Sequence, residues 1–165
     1  MVLLDKINNL SKSDFISTFG NVFEKTDWIA EKAYEMKPFN AHDDLFSKMM
    51  EIFENSKKER HLEILIAHPD LAIEKKLTND SLKEQKNANL KECSDQEFKE
   101  FTKLNNDYKK KFGFPFIIAV KGKNKQEILD NFRQRITNNI NSEFEEAKKQ
   151  VRKIASFRLN EIINL

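Results

Sequence analysis

Apolar residues recur at three- and four-residue spacing through most of the chain, the period of an α-helix with one buried face. That repeat predicts helices near 13–23, 26–36, 42–54, 57–67, 82–92, 95–112, 124–138 and 141–162. The segment 95–112 is the best signalled. Ser94 and Glu97 have the spacing of a capping box, and Phe98, Phe101, Leu104, Tyr108 and Phe112 form one stripe. Gly113 then supplies a stop, because glycine tolerates the left-handed conformation that closes many helices. From Phe114 to Val120 the pattern changes to a continuous apolar run, pinned by Pro115 and too short for a globular helix. It predicts an extended segment crossing the core. No strand partner is visible elsewhere in the sequence, so its amides and carbonyls must be met by helix ends, side chains or a ligand.

Composition agrees with the pattern. Only 3 Gly and 3 Pro, against 34% charged residues rich in Lys and Glu, leave few turn formers and many helix formers. A length of 165 residues is enough for one domain with a core that needs no staples. The expected fold is all-α, a single-domain multi-helix bundle over 1–165 with the short extended segment 114–120 crossing it.

The net charge of +2 arises from interleaved Lys and Glu, as in Lys57-Lys58-Glu59-Arg60 and Glu145-Glu146-Ala147-Lys148-Lys149. Phosphate binding needs a concentrated basic patch, so a nucleic-acid partner is not expected. Solvated helix faces carrying i,i+4 pairs explain the alternation. No apolar stretch approaches membrane-spanning length, and the apolar run at the N-terminus is too short for a signal peptide. One cysteine, Cys93, excludes an internal disulfide and fits a reducing compartment. The final Ile163-Asn164-Leu165 is not a peroxisomal address of the Ser-Lys-Leu type. A soluble, cytoplasmic protein is expected.

Three places break their own pattern. In the last helix Phe144, Ala147, Val151, Ile154, Ala155 and Ile162 share a face, and Arg158 falls near its centre. A buried guanidinium needs a carboxylate, carbonyls or an anionic ligand, so a structural ion pair and a ligand contact both stay open. Arg152 lies about a quarter turn away and can reach water. His68 ends a helix beside Ile64 and Leu65, and Pro69 stops the helix there. A histidine so placed suits general acid or base work near neutral pH, and it also suits a satisfied core position. Ser81-x-x-Glu84 is by pattern another capping box. Capping leaves Gln85 unexplained, whose amide offers donor and acceptor beside Glu84, a combination suited to a urea or cyclic amide.

Metal chemistry finds little support. The histidines are His42, His61 and His68, with no His-Glu-x-x-His or Cys-x-x-Cys spacing. There is no glycine-rich phosphate loop and no Gly-x-Ser-x-Gly elbow, so nucleotide and serine-hydrolase chemistry are set aside.

These segments together resemble the 2-oxo-4-hydroxy-4-carboxy-5-ureidoimidazoline (OHCU) decarboxylases of urate degradation. The resemblance is carried by His68-Pro69-Asp70-Leu71-Ala72, by Ser81-x-x-Glu84-Gln85, by Phe101-x-x-Leu104-Asn105-x-x-Tyr108-x-x-Lys111-Phe112-Gly113-Phe114-Pro115-Phe116, and by Ile154-Ala155-x-x-Arg158-Leu159. It runs in matching order and spacing from about residue 12. Ile73 replaces a glycine common after the first motif, and Asn87 and Asn89 stand where members often carry small residues. Both departures flank the site and remove no chemical group.

The resemblance implies an all-α fold, usually a homodimer, that needs no metal or organic cofactor and yields (S)-allantoin. It makes His68 the catalytic proton donor, with Glu84 and Arg158 completing the catalytic set. Pro69, Ser81, Leu82, Lys83, Gln85 and the strip Phe116, Ile117, Ile118, Ala119 and Val120 would contact the ureidoimidazoline substrate. Two other classes stay open at this level: an inactive helical ligand-binding protein that keeps the pocket, and a helical interaction module whose Phe-rich surface docks a partner helix. The interaction module predicts that His68, Glu84 and Arg158 lie far apart, whereas the enzyme reading requires all three to line one cavity.

Overall fold

The computed structural model describes residues 1–71 and 94–165, and these are all-α, with eight helices and no strand among them. The helices are α1 (Leu4–Asn8), α2 (Lys12–Phe19), α3 (Asp27–Tyr34), α4 (His42–Glu54), α5 (Lys58–Ala67), α6 (Asp95–Phe112), α7 (Lys125–Arg135) and α8 (Ile140–Ile163). The helix expected over 82–92, the segment Ser81–Gln85, Ile73, Asn87, Asn89 and Cys93 lie outside the described residues. Among the described residues no helix is long and apolar enough to cross a membrane.

The chain forms two compact units, one of Met1–Ala67 with Arg152–Leu165 and one of His68–Val151. In the first, Phe15, Phe19, Phe23, Ile29, Leu45, Met49 and Phe53 are buried, as are Ala155 and Leu159 of α8. Phe15 and Phe19 meet at 4.7 Å between ring centroids, and Phe23 stacks on Phe53 at 5.0 Å. In the second, Phe101, Tyr108, Phe116, Phe132 and Ala147 are fully enclosed. Phe116 lies flat on Phe132, 3.8 Å between centroids and 7° between planes, and Tyr108 meets both edge-on. Edge-to-face and stacked pairs of this kind add to the area term of burial.

The element boundaries follow from local chemistry. Ser94 Oγ accepts the Glu97 amide at 3.2 Å to start α6, and Gly113, at φ 80°, closes it. Asn124 and Glu127 form a reciprocal capping box at the start of α7. The structure departs from the periodic reading in three ways. α1, only five residues long, has no counterpart among the expected helices, because a single turn carries no repeat. The helix expected over 13–23 ends at Phe19, and the chain then passes through Glu24 (φ 64°) and Lys25 (φ 51°) in left-handed conformations before α3. Gly20 is forced here: a Cβ would lie 2.2 Å from Asp27 Oδ1 and 2.6 Å from Ile16 O. On α6 the apolar stripe is incomplete, with Phe98 45% exposed while polar Asn105 is 1% exposed.

Candidate active site

His68 follows the last residue of α5, as Pro69 requires, and is 7% exposed. The segment it opens is tied to α6 within the second unit. Asn105 Nδ2 donates to the Leu71 carbonyl at 2.7 Å, and Lys109 Nζ meets the buried Asp70 carboxylate at 2.7 Å. The polar residue on the apolar stripe of α6 thus satisfies backbone close to the histidine. The other two histidines are committed in the first unit, His42 Nε2 against Val2 O at 2.9 Å and His61 Nε2 against Phe53 O at 2.6 Å.

The strip from Pro115 to Val120 runs without helix, turn or bend and is buried throughout. Its backbone partners are side chains. Arg135 Nη1 donates to the Ile117 carbonyl at 2.7 Å, and the Ala119 amide donates to Gln150 Oε1 at 3.0 Å. Of the partners left open by the sequence for the strip's backbone, side chains supply these two.

Arg135 is anchored in turn. Its Nε and Nη2 donate to Glu143 at 2.9 and 2.6 Å, and its guanidinium carbon lies 4.4 Å from the Phe116 ring centroid. Glu143, fully enclosed, also accepts from the Tyr108 hydroxyl and from Asn138 Nδ2 at 3.0 Å. A buried ion pair needs such extra hydrogen bonds to offset its desolvation. Burial, with the Glu143 carboxylate second, raises the Tyr108 pKa far above the ordinary value of 10.0. The folded protein then keeps a proton that the unfolded chain releases. The Tyr108 contribution to stability is complete below about pH 10 and is lost as pH rises beyond it. Tyr108→Phe is expected to cost about 1 kcal/mol at neutral pH, and to flatten the alkaline limb of stability measured by urea unfolding. An unchanged alkaline limb would count against this account.

Arg158 lies in the first unit and is 3% exposed. Its Nη2 pairs with Glu24 Oε2 at 2.8 Å and its Nη1 donates to Asn21 O at 2.8 Å. Of the partners open from the sequence, a carboxylate and a carbonyl are both present. Arg152, six residues earlier on the same helix, pairs with Glu54 at 2.6 Å and remains 34% exposed.

The structure therefore places His68, Pro69 and the Phe116–Val120 strip in one unit and Arg158 in the other, with Ser81, Leu82, Lys83, Glu84 and Gln85 outside the described residues. A surface hollow of about 620 Å³ lined by Trp28, Lys32, Glu51 and Arg60 holds none of the expected site residues. Sequence reasoning does not find Glu24, Lys109, Arg135, Glu143 or Gln150. The one usable signal is the polar residue at a core position of a helix, which Arg135 and Glu143 both satisfy.

These features define an all-α protein that buries a histidine at a helix end and an extended strip held by side chains instead of a sheet. The OHCU decarboxylase family model matches residues 8–160. The chain belongs to the OHCU decarboxylase family. It is 36% identical to the 2-oxo-4-hydroxy-4-carboxy-5-ureidoimidazoline decarboxylase of Haloferax volcanii, over 96% of this chain and 94% of that protein. It is 42% identical to the uric acid degradation bifunctional protein of Bacillus sp. TB-90, over 98% of this chain and 32% of that protein. It thus spans about a third of the Bacillus relatives, the Bacillus subtilis protein PucL included. A crystal structure of (S)-allantoin synthase superposes with a TM-score of 0.80 at 28% identity, over 98% of this chain and 54% of that one.

Proposed function

We propose that this chain decarboxylates OHCU to (S)-allantoin, a step of urate degradation, without a metal or organic cofactor. The observation that carries the reading is the family match over 8–160, joined to a buried histidine at the position where the family motif puts its proton donor. The near full-length Haloferax relative carries the name of this activity.

The substrate's own chemistry accounts for the lack of a cofactor. Breaking the bond from C4 to its carboxylate releases carbon dioxide and leaves an electron pair that the adjacent ring imine accepts, so the substrate holds its own electron sink. A proton delivered to one face of C5 completes allantoin as a single enantiomer. The protein's work is to hold the carboxylate perpendicular to the ring, keep water away, and stabilise charge moving into the ring.

In this reading His68 orients the C4 hydroxyl or carboxylate and manages its proton. Glu84 and Gln85, with Ser81, Leu82 and Lys83, grip the ureido group or ring amides. Pro69 packs against the ring, main chain of the Phe116 to Val120 strip meets the ring carbonyl, and Arg158 completes the pocket, while the Phe116 ring itself is covered by Phe132 and Arg135. The working form is a cytoplasmic homodimer, which light scattering of the purified protein tests directly.

The decisive assay supplies freshly generated OHCU and follows allantoin by circular dichroism. Catalysis gives one enantiomer at a rate proportional to protein. Racemic allantoin at the uncatalysed rate would instead describe a ligand-binding relative without activity.

A further inference from the structure

The strip Pro115–Val120 has two unlike edges. In an extended chain the N–H and C=O of one residue point to the same side, and successive residues alternate. Arg135 holds the Ile117 carbonyl and Gln150 holds the Ala119 amide, so both clamps act on one edge. By that alternation the main chain of Phe116, Ile118 and Val120 falls on the other.

Each clamp is itself fixed. Arg135, 5% exposed, is locked by Glu143 and lies over the Phe116 ring. Gln150, 7% exposed, donates through Nε2 to Glu146 Oε1 at 2.7 Å, which settles which end of its amide faces Ala119. A carbonyl and an amide two residues apart are thereby pinned from α7 and α8.

We infer that Gln150 and Arg135 are positioning residues: by clamping the Ile117 and Ala119 edge they turn the opposite edge, with the amides of Ile118 and Val120, toward the carbonyl oxygens of the substrate's ring and ureido group. The inference rests on the OHCU reading above. It narrows that reading, because it assigns ring recognition to alternate amides of the strip and not to all of them. Main chain held from behind in this way is preorganised, so no ordering cost falls on ligand binding.

Arg135 cannot be probed cleanly, since its loss strands Glu143 in the core. Gln150 can. Gln150→Leu removes the acceptor at similar volume, and KM for OHCU is expected to rise about five- to tenfold with kcat within about twofold, the signature of lost binding shared by ground and transition states. Amide hydrogen exchange over 116–120 should quicken in the same variant. The double variant Glu146→Gln/Gln150→Glu puts an acceptor back on the Ala119 amide and a donor at 146, so KM should return to within about twofold of the parent.

Should Gln150→Leu fail to fold, Gln150→Asn, which withdraws the acceptor by one methylene, takes its place with the same expected rise. An unchanged KM in the single variant, or a double variant as impaired as the single, overturns the positioning role while leaving the decarboxylase reading intact. A parent protein with no OHCU turnover overturns the decarboxylase reading and this inference with it.

Discussion

His68→Ala is expected to lower turnover of OHCU by about 10² to 10⁴, the usual share of a positioned general acid or base. The fold should survive. The segment that presents the imidazole is held by Asn105 at the Leu71 carbonyl and by Lys109 at Asp70, and neither anchor passes through the imidazole. The loss should therefore fall on kcat, with circular dichroism and the melting midpoint close to those of the parent. Asn105→Ala is the informative contrast: it keeps the imidazole and frees the backbone beside it. A His68→Ala variant that turns over OHCU within a few-fold of the parent would remove His68 from the chemistry and direct attention to Glu84.

Much of the framework behind that expectation is legible in the chain. Helix α4 begins and ends where its periodicity places it, and α6 where its cap and Gly113 do. The Phe114–Val120 run reads as extended because β-branched residues and a proline disfavour helix, and Pro115–Val120 runs without helix, turn or bend. What periodicity cannot give is partnership across long sequence distance. Glu24 meets Arg158 134 residues away, and Gln150 reaches Ala119 across 31. A wheel shows that Arg158 is on a buried face but not which carboxylate neutralises it. Glu24 is the harder case, since it sits in no helix and its burial follows from a left-handed turn that sequence pattern does not encode. Phe98 fails for the opposite reason: its place on the stripe is correct, yet the stripe runs beyond the surface that covers it.

Glu24→Ala should be among the most destabilising single changes in the described chain. Glu24 and Arg158 are 1% and 3% exposed, so removing the carboxylate takes the Oε2 partner from a guanidinium held out of water. Breaking one side of such a pair costs about 3–5 kcal/mol. For a chain of this size that is a fall in melting midpoint of about 6–20 °C, at about 2–4 °C per kcal/mol. The backbone adds to the case. Holding Glu24 and Lys25 left-handed costs roughly 1–2 kcal/mol per residue, a cost the buried pair must offset for the turn to persist. Arg152→Ala supplies the contrast on the same helix: its pair with Glu54 is about a third exposed, and solvent screening limits the loss to under about 1 kcal/mol. Adding Arg158→Met to Glu24→Ala should recover part of the stability, because the double change removes the stranded charge together with its partner. If Arg158 also completes the pocket, that double variant recovers part of its melting midpoint without regaining turnover, which separates the two roles. A Glu24→Ala midpoint within about 2 °C of the parent would mean the guanidinium has another anion to turn to, and the pair would then be incidental to the fold.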